Sequence, residues 1–159
     1  MRRKDREITD LSEIKGIIDR TKILHLAMFE EEYPYVVPLH YGYEMKDELP
    51  VFYCHSANEG HKLDLIRRNP NVTAELECDV ELIDAGDDPC SYGSYFASVI
   101  ARSKAEIIDD EDEKIHALKV FMLHQTGRSF EFTSRMAAGV TVIRITPVQL
   151  TAKAKKKQQ

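Results

Sequence analysis

The stretch Val72-Thr73-Ala74-Glu75-Leu76-Glu77-Cys78-Asp79 alternates without a break between small or apolar residues and polar ones. A period of two puts Val72, Ala74, Leu76 and Cys78 on one face of a strand, and Thr73, Glu75, Glu77 and Asp79 on the other. A strand with one dry and one wet face suits an antiparallel sheet better than a parallel sheet buried on both sides. Outward from it, further runs of strand type appear. Lys22–Phe29 is apolar at nearly every position, which predicts cover on both faces. Tyr35–Tyr43 sets Tyr35, Val37, Leu39, Tyr41 and Tyr43 against Val36, Pro38, His40 and Gly42. Pro50–His55 is short, Tyr95–Ile108 is long enough to bend, and Val140–Thr146 comes last. Glu30-Glu31-Glu32, Lys46-Asp47-Glu48 and the acidic Asp84–Pro89 stretch separate these runs as turns or loops.

Three helices are predicted by period and caps. Asp10 with Glu13 forms a capping box ahead of the stripe Leu11, Ile14, Ile17 and Ile18. A short helix from about Gly60 to Arg68 turns Leu63 and Ile66 inward and stops before Asn69-Pro70. Asp110 with Glu113 opens the third, where Ile115, Leu118 and Met122 share a face and Gly127 supplies the stop. Six strands, few helices, no regular β-α alternation and no internal repeat predict a mainly β antiparallel barrel.

The chain has 159 residues, enough for one domain with a single core. The expected boundaries are a single domain over 1–150 and a disordered basic tail over 151–159. Both ends are basic (Arg2, Arg3 and Lys4; then Lys153, Lys155, Lys156 and Lys157), and such runs read as solvated tails. The net charge of -5 disfavours nucleic acid as the main partner. No apolar run reaches the ~20 residues of a membrane span, and no apolar segment follows the basic start as in a signal peptide. Cys54, Cys78 and Cys90 are odd in number and never spaced C-x-x-C, which fits a reducing cytoplasm.

Two stretches carry candidate chemistry. In Tyr53-Cys54-His55-Ser56-Ala57-Asn58-Glu59-Gly60-His61-Lys62 a strand ends, a small polar loop follows, and a helix opens with basic residues in its first turn. Cations are unfavourable there, because the unpaired N–H groups already carry positive partial charge. A bound phosphate would reconcile Lys62, His61, Ser56 and those amides. An ordinary exposed lysine beside a loop histidine is the other reading. In Pro34–Tyr43, Pro38 lacks a ladder donor and Gly42 lacks a side chain, so one face is open either to a flat ligand or simply to solvent along an edge strand. His40, His55 and His61, 15 and then 6 residues apart, match no familiar zinc arrangement.

Tyr35-Val36-Val37-Pro38-Leu39-His40-Tyr41-Gly42-Tyr43, followed by His55-Ser56-Ala57-x-x-Gly60-x-Lys62-x-Asp64-x-Ile66-Arg67-Arg68-Asn69-Pro70, resembles the FMN-binding split-barrel family. Within it the chain is similar to the 5-nitroimidazole-resistance branch, relatives of pyridoxamine 5'-phosphate oxidase. The start Met1–Glu7, Ser98-Val99-Ile100 and the Glu113–Leu118 segment fit the same branch. The resemblance implies a six-stranded split barrel that forms a homodimer with FMN at its interface. By position, Val37, Pro38, Leu39, His40 and Tyr41 would line the flavin, largely through the main chain. His55 and Ser56 would stand beside it, His61 and Lys62 would hold the phosphate, and Ser98 would come from the partner subunit. Val37 stands where the oxidase has an arginine, His61 replaces another, and no counterpart of the oxidase's substrate-gripping C-terminal segment is present. The implied activity is therefore FMN-dependent reduction of a small electron-poor compound such as a nitroimidazole, with an unidentified electron donor and His40 or His55 handling the proton. The alternatives are a flavin-binding or flavin-sensing module without turnover, and a haem-binding split-barrel protein.

Overall fold

The computed structural model describes residues 3–157. Its centre is one antiparallel sheet. β1 (Glu7–Ile8), β2 (Ile23–Met28), β3 (Tyr35–His40), β4 (Gly42–Lys46), β5 (Leu49–Ser56), β6 (Asn71–Ile83), β7 (Gly93–Ile108) and β8 (Thr141–Lys155) follow in chain order. Laterally the order is β3-β2-β6-β7-β8-β5-β4, with β1 added to β8. The two edges of that path, β3 and β4, are consecutive in sequence and joined only by Tyr41. The sheet therefore has to curl until its edges meet, yet no ladder links them. That is the seam of a split barrel.

The expected fold class stands, with eight strands among the described residues rather than six. Tyr35–Tyr43, expected as one strand, breaks at Tyr41: β3 pairs with β2 and β4 turns away to pair with β5. The break has a packing cause. Tyr41 is fully buried, and its hydroxyl donates to Ile18 O at 2.8 Å and bonds the Thr21 hydroxyl. β2 departs from expectation too. Only Leu24, Leu26 and Met28 are fully buried, while His25 faces out towards Glu75. The β4–β5 hairpin turns through Asp47 and Glu48 at φ 47° and 68°, the consecutive left-handed pair that a two-residue hairpin needs.

The long strands bend where ladders slip. β6 against β7 shifts register between Cys78 and Glu81, with Asp79 at φ 57°, and β7 against β8 shifts between Arg102 and Ser103. The tail expected over 151–159 is corrected for its first five residues. Thr151–Lys155 continues β8, pairing with β7 from Phe96↔Lys155 to Ile100↔Thr151 and with β1 at Ile8↔Ala152. Small size disguised these positions: Ala152 is only 2% exposed because Ile8 and Val99 lie opposite it. Gln158 and Gln159, with Met1 and Arg2, lie outside the described residues.

Four helices surround the sheet: α1 (Leu11–Arg20), α2 (His61–Arg68), α3 (Glu111–Thr126) and the unexpected α4 (Ser134–Ala138). Asp10 and Asp110 accept from Glu13 N and Glu113 N at 2.8 and 2.9 Å, as their spacing predicts. Ile17 and Ile18 of α1 join Leu26, Leu76, Val99 and Ile143 in the main core. A smaller cluster under α3 and α4 gathers Val51, Tyr53, Leu118 and Val142. Of the expected α3 face, Leu118 is buried as predicted, whereas Ala117 and Phe121 take the buried places expected of Ile115 and Met122. Gly42 sets that rotation. A Cβ on it would lie 2.3 Å from Phe121 Cα, so the helix backbone rests directly on β4. Among the described residues no helix is long and apolar enough to cross a membrane.

Candidate functional site

The site begins where β5 leaves the core. From Pro50 to Cys54 every residue is buried, His55 is exposed, and Ser56 is buried again at the strand's end. The following loop is pinned by Asn58, whose amide donates to Ala138 O at 3.1 Å and whose carbonyl accepts from the Thr141 hydroxyl at 3.1 Å. α2 then starts differently from the other helices. Asp10, Asp110 and Thr133 cap α1, α3 and α4 with side-chain oxygens, whereas Gly60 ahead of α2 offers none. Gly60 sits at φ 150°, where a Cβ would meet nothing within 4 Å; Leu63 N donates to Gly60 O at 2.9 Å, and the His61 and Lys62 amides ahead of it have no side-chain cap.

Lys62 reaches back over those amides and donates to the Ser56 hydroxyl at 3.0 Å. The Ser56 hydroxyl in turn donates to Ala57 O at 3.0 Å. The Lys62 ammonium and the uncapped amides can therefore donate to an oxyanion, and the Ser56 hydroxyl can do so once it rotates away from Ala57 O. His61, expected to join them, is engaged elsewhere. Its Nε2–H donates to Glu30 at 2.6 Å, and its ring meets Tyr35 edge-on at 4.9 Å. The basic pair of the sequence therefore divides: Lys62 turns to Ser56, and His61 ties α2 to the β2–β3 loop.

β3 forms the open wall. Val37 and Leu39 pack on the core while Val36, Pro38 and His40 face outward, and Pro38 occupies an edge strand, where a missing donor costs least. The opening that sequence placed over Gly42 is filled by α3. Tyr41 likewise turns its ring into the core and leaves only its main chain at the seam, where its carbonyl accepts from Gln125 at 2.6 Å.

His55, exposed on one side, packs edge-on against Phe121 at 4.6 Å on the other; partial burial there, with the nearby His40 charge second, lowers its pKa. His40 is held from α3. Gln125 Nε2 donates to Lys22 O at 3.0 Å as well as to Tyr41 O, which fixes the amide orientation and leaves Oε1 facing His40 Nδ1 at 3.1 Å. Lys22 O is also 3.2 Å from Nδ1. Both neighbours are acceptors, so Nδ1 carries the hydrogen and Nε2 is the free nitrogen. Sequence reasoning missed Gln125, Phe121 and Glu30; their part depends on tertiary contact, and no local motif marks them.

Ser98 is separate from this group. It lies on β7 opposite Glu77 and Lys153 and lines a hollow of about 210 Å³ with Ile100, Thr151 and Lys153.

A family model described as pyridoxamine 5'-phosphate oxidase matches residues 10–154. The chain belongs to that family. Among solved structures, this member of the pyridoxamine 5'-phosphate oxidase family is similar to a candidate 5-nitroimidazole antibiotic resistance protein from Bacteroides thetaiotaomicron. The two are 31% identical over 94% of this chain and 90% of that one, with a TM-score of 0.79. A flavocytochrome from Azotobacter vinelandii shares the fold at 19% identity, covering 99% of this chain and 72% of that one, with a TM-score of 0.82. A candidate family oxidase from Listeria innocua shares it at 21% identity, over 88% and 94% of the two chains, with a TM-score of 0.57. No curated protein matches the chain in sequence.

Proposed function

We propose that the chain is an FMN-dependent oxidoreductase that reduces small electron-poor compounds, nitroimidazoles among them, and works as a homodimer with FMN at the interface. The observation that carries this reading is the uncapped start of α2, where Lys62 is drawn back to Ser56 beside free amides. The family and the 31%-identical relative named for 5-nitroimidazole resistance support it. The residues present fit the phosphate end of FMN, with the grip centred on Lys62, because Val37 adds no charge and Glu30 holds His61. Ser98 lines a hollow that does not include Lys62 or Ser56, as expected if it serves the site of a partner chain.

When bound, the flavin supplies the hydride and electron chemistry. The chain's own work is to seat and orient it. Lys62, Ser56 and the amides of α2 hold the phosphate, and the outward edge of β3 around Pro38 offers main-chain groups to the ring. His40 presents Nε2 as the proton-handling atom, because Gln125 and Lys22 O occupy Nδ1. Burial lowers the pKa of His55 and so favours its neutral form.

The absorption spectrum of protein purified with added FMN is the first test, and absence of bound flavin overturns the reading. Anaerobically reduced protein mixed with a nitroimidazole should then reoxidise; protein that stays reduced is a flavin-binding module instead. A Soret band without flavin bands would mark a haem protein. Lys62→Glu should weaken FMN binding by about 10- to 100-fold, the size of a lost charge-assisted contact. Unchanged affinity would remove Lys62 from the phosphate site.

A further inference from the structure

The two basic ends of the chain, far apart in sequence, are joined by the fold. β1 pairs with β8 at Glu7↔Lys153 and Ile8↔Ala152, which lays the single turn Lys4–Arg6 beside the end of β8. There one aromatic ring collects two cations: the Arg6 guanidinium lies 5.9 Å from the Phe96 ring centre and the Lys153 ammonium 5.4 Å from it. Lys155 is the strand partner of Phe96, and Lys153 that of Ser98, so both lysines share the outer face of β7 and β8.

Arg6, Lys153 and Lys155 are all half-buried. Of the carboxylates nearby, Asp5 is bound to Arg3 at 2.5 Å, Glu13 to Lys156 at 2.7 Å and Glu81 to Lys157 at 2.7 Å, while Glu7, the strand partner of Lys153, makes no ion pair among the described residues. Arg6 reaches Asp5 only at 3.9 Å, and among the described residues neither lysine has a carboxylate within 4.0 Å. Like charges at adjacent positions on one strand face repel, and half-burial strengthens that repulsion. Solvated tails, the reading from sequence, would not hold two cations over one ring with a third on the same strand face. An anion brought among them would relieve the repulsion.

Two separate hollows meet at this ring and make up a short track. Arg6 lines a groove of about 430 Å³ with Arg3, Lys155 and Lys156, and Lys153 lines the hollow of Ser98, Ile100 and Thr151. The Phe96 ring, touched by both Arg6 and Lys153, links them. Asp5, Glu7 and Glu13 also line the groove, and the chain as a whole is acidic at -5. That border suits a ligand with a few phosphate charges and a flat ring, and opposes a long polyanion.

We infer that this track binds a phosphorylated dinucleotide of the nicotinamide class, the electron donor of the proposed reductase. Its phosphates lie among Arg6, Lys153 and Lys155, and its nicotinamide end points to the Ser98 hollow. The inference rests on the reductase reading and supplies its missing donor. In the step so served, the reduced nicotinamide loses one hydride, a proton with two electrons, to the flavin. A proton from solvent completes the two-electron, two-proton reduction, and the oxidised dinucleotide departs.

The test is calorimetric titration of the flavin-loaded protein with NADP+, which binds without turnover, in parallel with FMN titration of the flavin-free protein. Wild-type affinity for NADP+ should fall as salt rises. The triple variant Arg6→Gln/Lys153→Gln/Lys155→Gln should bind NADP+ at least about 10-fold more weakly, with FMN affinity unchanged. Lys155→Gln alone, which removes only one partly solvated charge, should give a smaller loss in the same direction and serves if the triple variant does not fold. Equal NADP+ affinity in wild type and variant overturns the inference, as does the absence of binding by folded wild type at millimolar NADP+. Tighter binding of a 12-residue oligothymidylate than of NADP+ also overturns it, in favour of nucleic acid. Flavin-free protein that still binds NADP+ through these residues, yet never binds FMN, would sink the reductase reading and leave the dinucleotide site standing.

Discussion

His40 Nδ1 sits 3.1 Å from Gln125 Oε1, although 85 residues of chain separate the two. The contact joins the edge strand β3 to the last turn of α3, and the carbonyls of Lys22 and Tyr41 fix it from the other side of the amide. An imidazole held in this way has one tautomer, and its free nitrogen is Nε2.

Removing that hold should change proton handling more than binding. Gln125→Leu is expected to lower nitroimidazole turnover by about 10-fold, part of the full contribution of a general acid–base group, with flavin affinity unchanged. His40 should then show mixed tautomers in its 15N resonances, and the pH profile should move. Gln125→Glu, which keeps an acceptor but loses the donor that Lys22 O and Tyr41 O hold, should also release the ring from its single tautomer. An unaltered pH profile in Gln125→Leu would show that the amide does not position the catalytic nitrogen.

Gly42 underlies the same arrangement from beneath α3. A methyl group there would stand 2.3 Å from Phe121 Cα and 2.5 Å from Phe121 N, and backbone cannot rotate away as a side chain can. Gly42→Ala should push the helix off β4 and cost about 1–3 kcal/mol, as overpacking does. For a domain of this size that lowers the melting temperature by roughly 2–4 °C per kcal/mol. Calorimetry checks it; a melting temperature equal to wild type would mean that α3 yields freely.

Gly42 also marks what the sequence could and could not reveal. Its missing side chain was evident, but whether a ligand or a helix occupied the space was not, because α3 lies some 80 residues further along the chain. Alternation in β6 and the Asp10 and Asp110 caps were legible because each is a local pattern. The break at Tyr41 was hidden, since its cause, burial against Ile18 and Thr21, is tertiary. Within the site, Lys62 and Ser56 could be found from the strand–loop–helix pattern. Gln125 could not, since nothing near it in the chain hints at His40.

Stability should depend on pH through two histidines. His124 donates from Nε2 to Thr21 O at 2.9 Å and lies 4.7 Å from the Tyr41 ring. Burial, and after it the charge of Lys22, lowers its pKa, as burial lowers that of His55. The unfolded chain therefore takes up protons first as pH falls. Stability should be full above the ordinary histidine pKa of about 6.5 and decline as pH drops through the lowered folded values, then level off. Urea unfolding at pH 7.5 and pH 5 should show this loss, and His124→Gln should reduce it. An identical loss in that variant would assign the dependence to other groups.

The C-terminal segment separates two kinds of basic residue. Deleting 156–159 removes the surface pairs Lys156–Glu13 and Lys157–Glu81, worth at most about 1 kcal/mol each, and should leave the urea midpoint nearly unchanged. Deleting 151–159 additionally removes five ladder positions against β7, uncovers Ile8 and takes away buried Ala152. At roughly 1 kcal/mol for each lost internal hydrogen bond, with the apolar cover lost besides, the second deletion should cost several kcal/mol. That is a large part of the 5–15 kcal/mol that typically holds a domain folded, so the shorter chain should unfold at much lower urea or accumulate insoluble. Equal midpoints for the two truncations would return Thr151–Lys155 to the status of a tail, and with it Lys153 and Lys155 would lose the rigid strand that sets them on one face beside Phe96.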